Sequence, residues 1–358
     1  MDLRLSRRQM VGATAALPFT AALPALARLA KPGLDRAKLD KIPAALQAFV
    51  DQGNLSGIVT MVCHRGEIVQ VNTLGWRDIE SRSPMQRDTL FRLASMTKPV
   101  TSVAALMLLD EGKIKLSDPV RKWIPELANR RVLRKADGPL DDTVPANRDI
   151  TVEDLLTHRS GLALPGIITG PIAQAYDDAI GWGISTPWTT DTWLAAVGKL
   201  PLVYQPGERM QYGISTNVLG FLIERVDHKT LQASLKDRIF APLGMKDTDF
   251  WVPPAKMNRL ASLYQFDEAK DVLTKASDFI TGDIDKTPPI FMGASSLISC
   301  ADDYMLFARM LQNGGHSGNV RILSPETVRL MRTNQLTAAQ RQHPFIGQPL
   351  FWKGLGFG

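Results

Sequence analysis

Phe91-Arg92-Leu93-Ala94-Ser95-Met96-Thr97-Lys98-Pro99 runs directly into Val100-Thr101-Ser102-Val103-Ala104-Ala105-Leu106-Met107-Leu108-Leu109, and this stretch decides how the rest of the chain is arranged. Residues 100–109 are apolar almost all round, so the helix they form has no solvent face and must be buried. It stops at Asp110-Glu111-Gly112, where Gly112 suits a C-terminal cap. Proline inside a helix clashes with the carbonyl four residues back, so Pro99 places the helix start at about Ser95 or Met96. Ser95 then lies at the positive end of the helix dipole, where a developing alkoxide or oxyanion is stabilised. Lys98, one turn on, shares its face. A lysine acts as a base only when neutral, and burial lowers its ordinary pKa of about 10.4 by several units. The pair therefore suits Ser-Lys nucleophilic catalysis. A plainer reading makes Ser95 a helix cap and Lys98 an exposed first-turn residue. S-x-x-K is expected about once by chance in a chain of this length; it occurs once here, so both readings stand on these residues alone.

Working toward the N-terminus, residues 58–63 and 68–73 are apolar and β-branched and flank His64-Arg65-Gly66-Glu67, the pattern of a hairpin. Helical periodicity covers 34–52. A helix feeding an antiparallel hairpin predicts an α+β layer. Residues 1–27 read as a twin-arginine-type signal peptide, with Ser6-Arg7-Arg8-Gln9-Met10-Val11-Gly12 ahead of a proline-broken apolar run and a small-x-small site at Ala25-Leu26-Ala27. A periplasmic or secreted protein without stable membrane insertion is expected. Toward the C-terminus, short helices at 151–156, 190–197, 217–226 and 231–240 alternate with proline and glycine loops, and helices return at 301–312 and 325–332. With no repeats and no linker, a helical part at about 113–289 is inserted into an α/β part made of about 34–112 and 290–358.

A second cluster is Gln205-Pro206-Gly207-Glu208-Arg209-Met210-Gln211-Tyr212-Gly213-Ile214-Ser215-Thr216-Asn217, a turn leading to a tyrosine on a loop ahead of a helix. A phenol can donate or accept a proton and complete a Ser-Lys-Tyr relay, although a lone loop tyrosine is more often structural. Together with Leu155-Leu156-Thr157-His158-Arg159-Ser160-Gly161-Leu162, Ala241-Pro242-Leu243-Gly244-Met245 and residues 296–304 with Asp302-Asp303, these segments resemble the serine β-lactamase-like superfamily. Class C β-lactamases, D,D-peptidases and family VIII carboxylesterases are the branches most similar, over about residues 40–358. The resemblance implies an antiparallel β-lactamase-like sheet flanked by helices beside a mostly helical domain, the active site between them, and Tyr212 in the second-motif role.

Two departures from that pattern matter. Class C β-lactamases carry an amide-binding Asn two residues after the tyrosine; Ile214 stands there, leaving Ser215 or Asn217 as substitutes for substrate binding. The third motif (K-T-G, H-x-G or W-G-G) has only weak candidates in His316-Ser317-Gly318, which reads as a surface turn, and Trp352-Lys353-Gly354. Leu355-Gly356-Phe357-Gly358 resembles the beginning of a strand, so the C-terminal strands and helix of the fold are expected to be missing. The stretch 164–188 either lines an acyl pocket or covers the helical part, the second being the plainer reading.

The formal charge of +6 includes three Arg and one Asp within residues 1–27, leaving +4, and the basic run 121–135 holds a single aromatic side chain, Trp123, rather than a series interleaved to stack on bases, so no nucleic acid is expected. Cys63 and Cys300 sit in apolar surroundings and read as two separate buried thiols. No metal or organic cofactor is implied, the five histidines being widely scattered. The Tyr-Gly-Ile-Ser sequence is closest to the esterase-like branch, which points to hydrolysis of short-chain carboxylic esters through a Ser95 acyl-enzyme, without the G-x-S-x-G elbow of the α/β hydrolases. The alternatives are β-lactam or peptide hydrolysis, acyl transfer, and a non-catalytic binding protein on the same fold.

Overall fold

Arg65 and Gly66 both lie in the left-handed region, with φ of 53° and 84°. That is the backbone of the two-residue turn whose twist matches its flanking strands. It joins β1 (Gly57–His64) to β2 (Glu67–Asp78) in register from Gly57↔Gly75 to His64↔Glu67, with a bulge between Val62 and Cys63. β3 (Ser83–Pro84) completes the three-stranded sheet on the other edge of β2. β4 (Phe91–Arg92) pairs instead with Ile298–Ser299, Phe91 opposite Ser299 and Arg92 opposite Ile298. Each ladder between described strands is antiparallel. The structure is a computed structural model that describes residues 33–181, 188–277, 283–343 and 355–358; the proposed signal peptide and Trp352-Lys353-Gly354 lie outside them.

The chain divides into two units, Met1–Lys41 and Ile42–Gly358. In the first, the short helix Arg36–Leu39 is capped by Asp35, whose side chain accepts from the Lys38 N–H. The next helix, Lys41–Asp51, belongs to the second in all but its first residue. One continuous helix over 34–52 was the expectation, and the interruption at Asp40 has a local cause. Pro43 has no N–H to return to the Leu39 carbonyl, so it is accommodated only in the first turn of a new helix.

The apolar stretch forms the helix Thr97–Asp110, preceded by a 3₁₀ turn over Ala94–Met96. Its α-helical part thus begins one to two residues later than Pro99 alone suggests, and Pro99 sits within the first turn, where backbone N–H groups lack intrahelical partners anyway. Val100, Val103, Ala104, Ala105, Leu106 and Leu108 are fully buried, while Met107 and Leu109 are partly covered. The core continues through Trp193, Phe221, Leu222 and Tyr176 on the helices Thr190–Gly198, Ser215–Asp227 and Pro171–Ile180. Trp193 meets Phe221 edge to face at 5.1 Å between ring centroids.

At the C-terminus, Leu355–Gly358 carry no strand, contrary to expectation. Their backbone groups are taken up by loops and helix ends: Phe357 donates to the Met331 carbonyl at 2.9 Å, Gly358 to Leu156 at 3.3 Å, and Leu355 accepts from Gln335 at 2.7 Å. His316–Ser317 form a minimal hairpin with Val320–Arg321 around Gly318. Among the described residues no helix is long and apolar enough to cross a membrane.

Candidate active site

Two structural constraints present Ser95. The β4 ladder and a bond from the Leu93 N–H to the Leu297 carbonyl (2.8 Å) fix the approach. Ala94 then takes φ of +45°, a conformation a residue with a Cβ adopts only under tertiary constraint, and Ser95 is left exposed in the 3₁₀ turn. In such a turn residues three apart nearly eclipse. Lys98 Nζ lies 2.9 Å from Ser95 Oγ and also donates to the Ala294 carbonyl at 2.9 Å. Lys98 is 5 % exposed, and burial brings its pKa down to about 7.

Tyr212 arrives from the loop before the helix Ser215–Asp227, and its hydroxyl donates to Ser95 Oγ at 2.6 Å. Lys98 Nζ stands 4.6 Å from the Tyr212 ring centroid. Burial raises the phenol's pKa, and the bond to Ser95 opposes that rise. Two side chains, from positions 98 and 212, thus converge on the oxygen of Ser95.

The loop that carries Tyr212 is held by residues 158–163. Gln211 donates to the His158 carbonyl at 2.8 Å, Gly207 to Arg159 at 2.8 Å, Val203 to Gly161 at 2.8 Å and Ile214 to Ala163 at 3.4 Å. Gly161 (φ +78°) leaves room for this approach, since a Cβ there would come within 2.2 Å of the Tyr204 carbonyl. The Ser160 and Ser215 hydroxyls pair at 2.8 Å, both fully buried. Ser215 is therefore committed to holding the two segments together and does not border the cavity, which corrects its expected place in substrate binding. Asn217 does border it. Its Oδ1 accepts from the Ala294 N–H at 2.9 Å, which fixes the amide's orientation and leaves Nδ2 as the other branch.

The cavity beside Ser95 has a volume of about 150 Å³. Leu164, Ile180, Trp193, Ile214 and Met292 supply its apolar wall, and Ser95, Lys98, Tyr212, Asn217 and Ser295 its polar side. Part of 164–188 thus lines the cavity through Leu164, Ile180 and Gly181; residues 182–187 lie outside the described ones. Sequence reading gave no role to Ala294, Trp193 or Met292. Ala294 meets Lys98 across 196 positions, a distance no local pattern reports. Thr101 Oγ1 on the Gly293 carbonyl (2.7 Å) and Leu297 N–H on Thr97 Oγ1 (3.1 Å) pin that segment to the serine helix.

The chain is similar to Protein Rv1367c of Mycobacterium tuberculosis, 48 % identical over 322 residues, 89 % of this chain and 78 % of that protein. It is 36 % identical to Esterase EstB of Burkholderia gladioli over 223 residues, 61 % of this chain and 53 % of that one. Among solved structures it resembles EstCE1, a hydrolase with promiscuous acyltransferase activity, with a TM-score of 0.74 and 24 % identity over 90 % of this chain and 82 % of that one, a likeness of fold. It also resembles unliganded simvastatin synthase (LovD) from Aspergillus terreus, with a TM-score of 0.71 and 25 % identity over 87 % of this chain and 75 % of that one. The family described as Beta-lactamase matches residues 42–358, and the chain belongs to this β-lactamase-fold family of serine hydrolases.

Proposed function

We propose that the chain hydrolyses short-chain carboxylic esters through an acyl-enzyme on Ser95. The observation that carries this reading is the convergence of Lys98 and Tyr212 on Ser95 Oγ at the edge of an apolar cavity. With its pKa near 7, Lys98 holds a useful neutral fraction at neutral pH and accepts the Ser95 proton as Oγ attacks the ester carbonyl carbon. The Ser95 backbone N–H supplies one donor to the oxyanion, and Asn217 Nδ2 offers the substrate carbonyl a second polar contact. Collapse of the tetrahedral intermediate breaks the bond to the alkoxy oxygen, which leaves as the alcohol with a proton from Lys98 relayed by Tyr212. Water then attacks the acyl-enzyme, gives its proton back along the same relay, and releases the acid.

Cavity size and chemistry favour a short acyl group, since a space of about 150 Å³ lined by apolar side chains accepts a molecule of about benzene's size. Esters are favoured over β-lactams by Ile214, a buried apolar residue where class C enzymes present an amide. The decisive measurement is p-nitrophenyl acetate and butyrate turnover by the parent and by Ser95→Ala, with fluorophosphonate labelling of Ser95 alongside. Loss of at least about 10³-fold in kcat is expected; an equally active variant ends the reading. A chromogenic cephalosporin turned over as fast as the esters would move the assignment to amides, and absence of both turnover and labelling would leave a binding protein.

A further inference from the structure

Tyr212 sits on an irregular loop, and its side chain has two torsions. Residues 158–163 hold the loop's backbone. The His158 ring stacks on that of Tyr212, at 4.9 Å between centroids and 27° between planes. His158 is 2 % exposed and takes φ of +52°, a left-handed conformation uncommon for a residue with a side chain. What holds it there is the preceding helix end: the Arg159 N–H bonds to the Asp154 carbonyl at 2.8 Å, and the His158 carbonyl receives Gln211.

We infer that His158 is a positioning residue, a flat support that fixes the Tyr212 ring so that its hydroxyl meets Ser95 Oγ. This rests on the reading that Tyr212 shares the proton transfers. The buried Nδ1 has no hydrogen-bond partner. A buried polar atom left unsatisfied is costly, and its retention is understandable where the shape of the ring is what counts. Burial, helped by the charge of nearby Lys98, lowers the imidazole's pKa to about 3, so the support stays neutral while Lys98 titrates and adds no charge beside it. His158 acts through Tyr212 and is not itself among the residues that line the cavity.

The test compares His158→Phe with His158→Leu. Both side chains are equally unsuited to a left-handed backbone, so the difference between them reads the ring. His158→Phe is expected to keep kcat for p-nitrophenyl butyrate within about threefold of the parent, while His158→Leu lowers kcat by about 10–100-fold with KM changed less than about threefold. If the Leu variant does not fold, His158→Asn, whose side chain tolerates this backbone, replaces it in the same comparison. Each change is repeated on Tyr212→Phe, where removing the ring support should cost less than about threefold more, because residues acting as a unit are not additive. Equal kcat for the flat and non-flat variants, or full additivity with Tyr212→Phe, overturns the inference. Ester turnover that survives Ser95→Ala overturns instead the reading beneath it.

Discussion

Lys98 is the residue at which stability and chemistry pull in opposite directions. Its pKa falls from 10.5 to about 7 because burial penalises the ammonium. Between those two values the folded protein binds fewer protons than the unfolded chain, so stability rises with pH across that window, and the full cost of burial is present below about pH 7. That cost is on the order of 5 kcal/mol, offset in part by the bonds to Ser95 and Ala294. Lys98→Met should therefore raise the thermal midpoint at pH 6 by about a few degrees, with the gain shrinking toward pH 10. The same change should lower kcat/KM by about 10²–10⁴-fold. In the parent, kcat/KM should climb through about pH 7 and level off above it, as the neutral amine accumulates. Thermal scans and pH-rate profiles check both signs; a midpoint lower in the variant at pH 6 would show that the lost hydrogen bonds outweigh the burial cost.

At the scale of elements, the site depends on how the short helix Val152–Leu156 begins and ends. Thr151 and Asp154 form a capping box, and the buried Asp154 carboxylate also accepts from both terminal nitrogens of Arg148, at 2.5 and 2.9 Å. Asp154→Ala removes the carboxylate half of the capping box and leaves the Thr151 N–H without its partner. A loss of about 2 kcal/mol is expected, seen as a lower urea midpoint at unchanged slope. Because His158 and Arg159 leave directly from this helix, kcat should drop with stability, while Asp154→Asn, which keeps an acceptor for the cap, should recover part of both. Stability lost with kcat intact would mean that residues 158–163 hold their shape without the helix.

Across the whole molecule, Cys63 and Cys300 are free, the first half-buried and the second buried; burial raises the Cys300 thiol's pKa. Two thiols per chain should titrate in denaturant, and reductant should leave the melting temperature unchanged; a disulfide would reverse both results. Much of the site was legible in sequence because it is local: Ser95, Lys98 and Pro99 fall within one helical turn, and the apolar run behind them requires a dry interior. The hairpin, too, follows from alternation around Arg65-Gly66. Less legible was anything made by contact between distant segments. Ser215 reads as a substrate contact until its hydroxyl is found on Ser160, and the break at Asp40 is hidden by periodicity that runs through Pro43. The sequence by itself determined that Ser95 and Lys98 stand one turn apart at the head of a buried helix, because spacing along one helix and the hydrophobic pattern are properties of the chain. Only tertiary structure decided that Ala294 receives Lys98, that Leu164, Trp193 and Met292 wall the cavity, and that His158 lies flat on Tyr212, because these contacts join segments separated by tens to hundreds of residues and leave no period for a sequence to show.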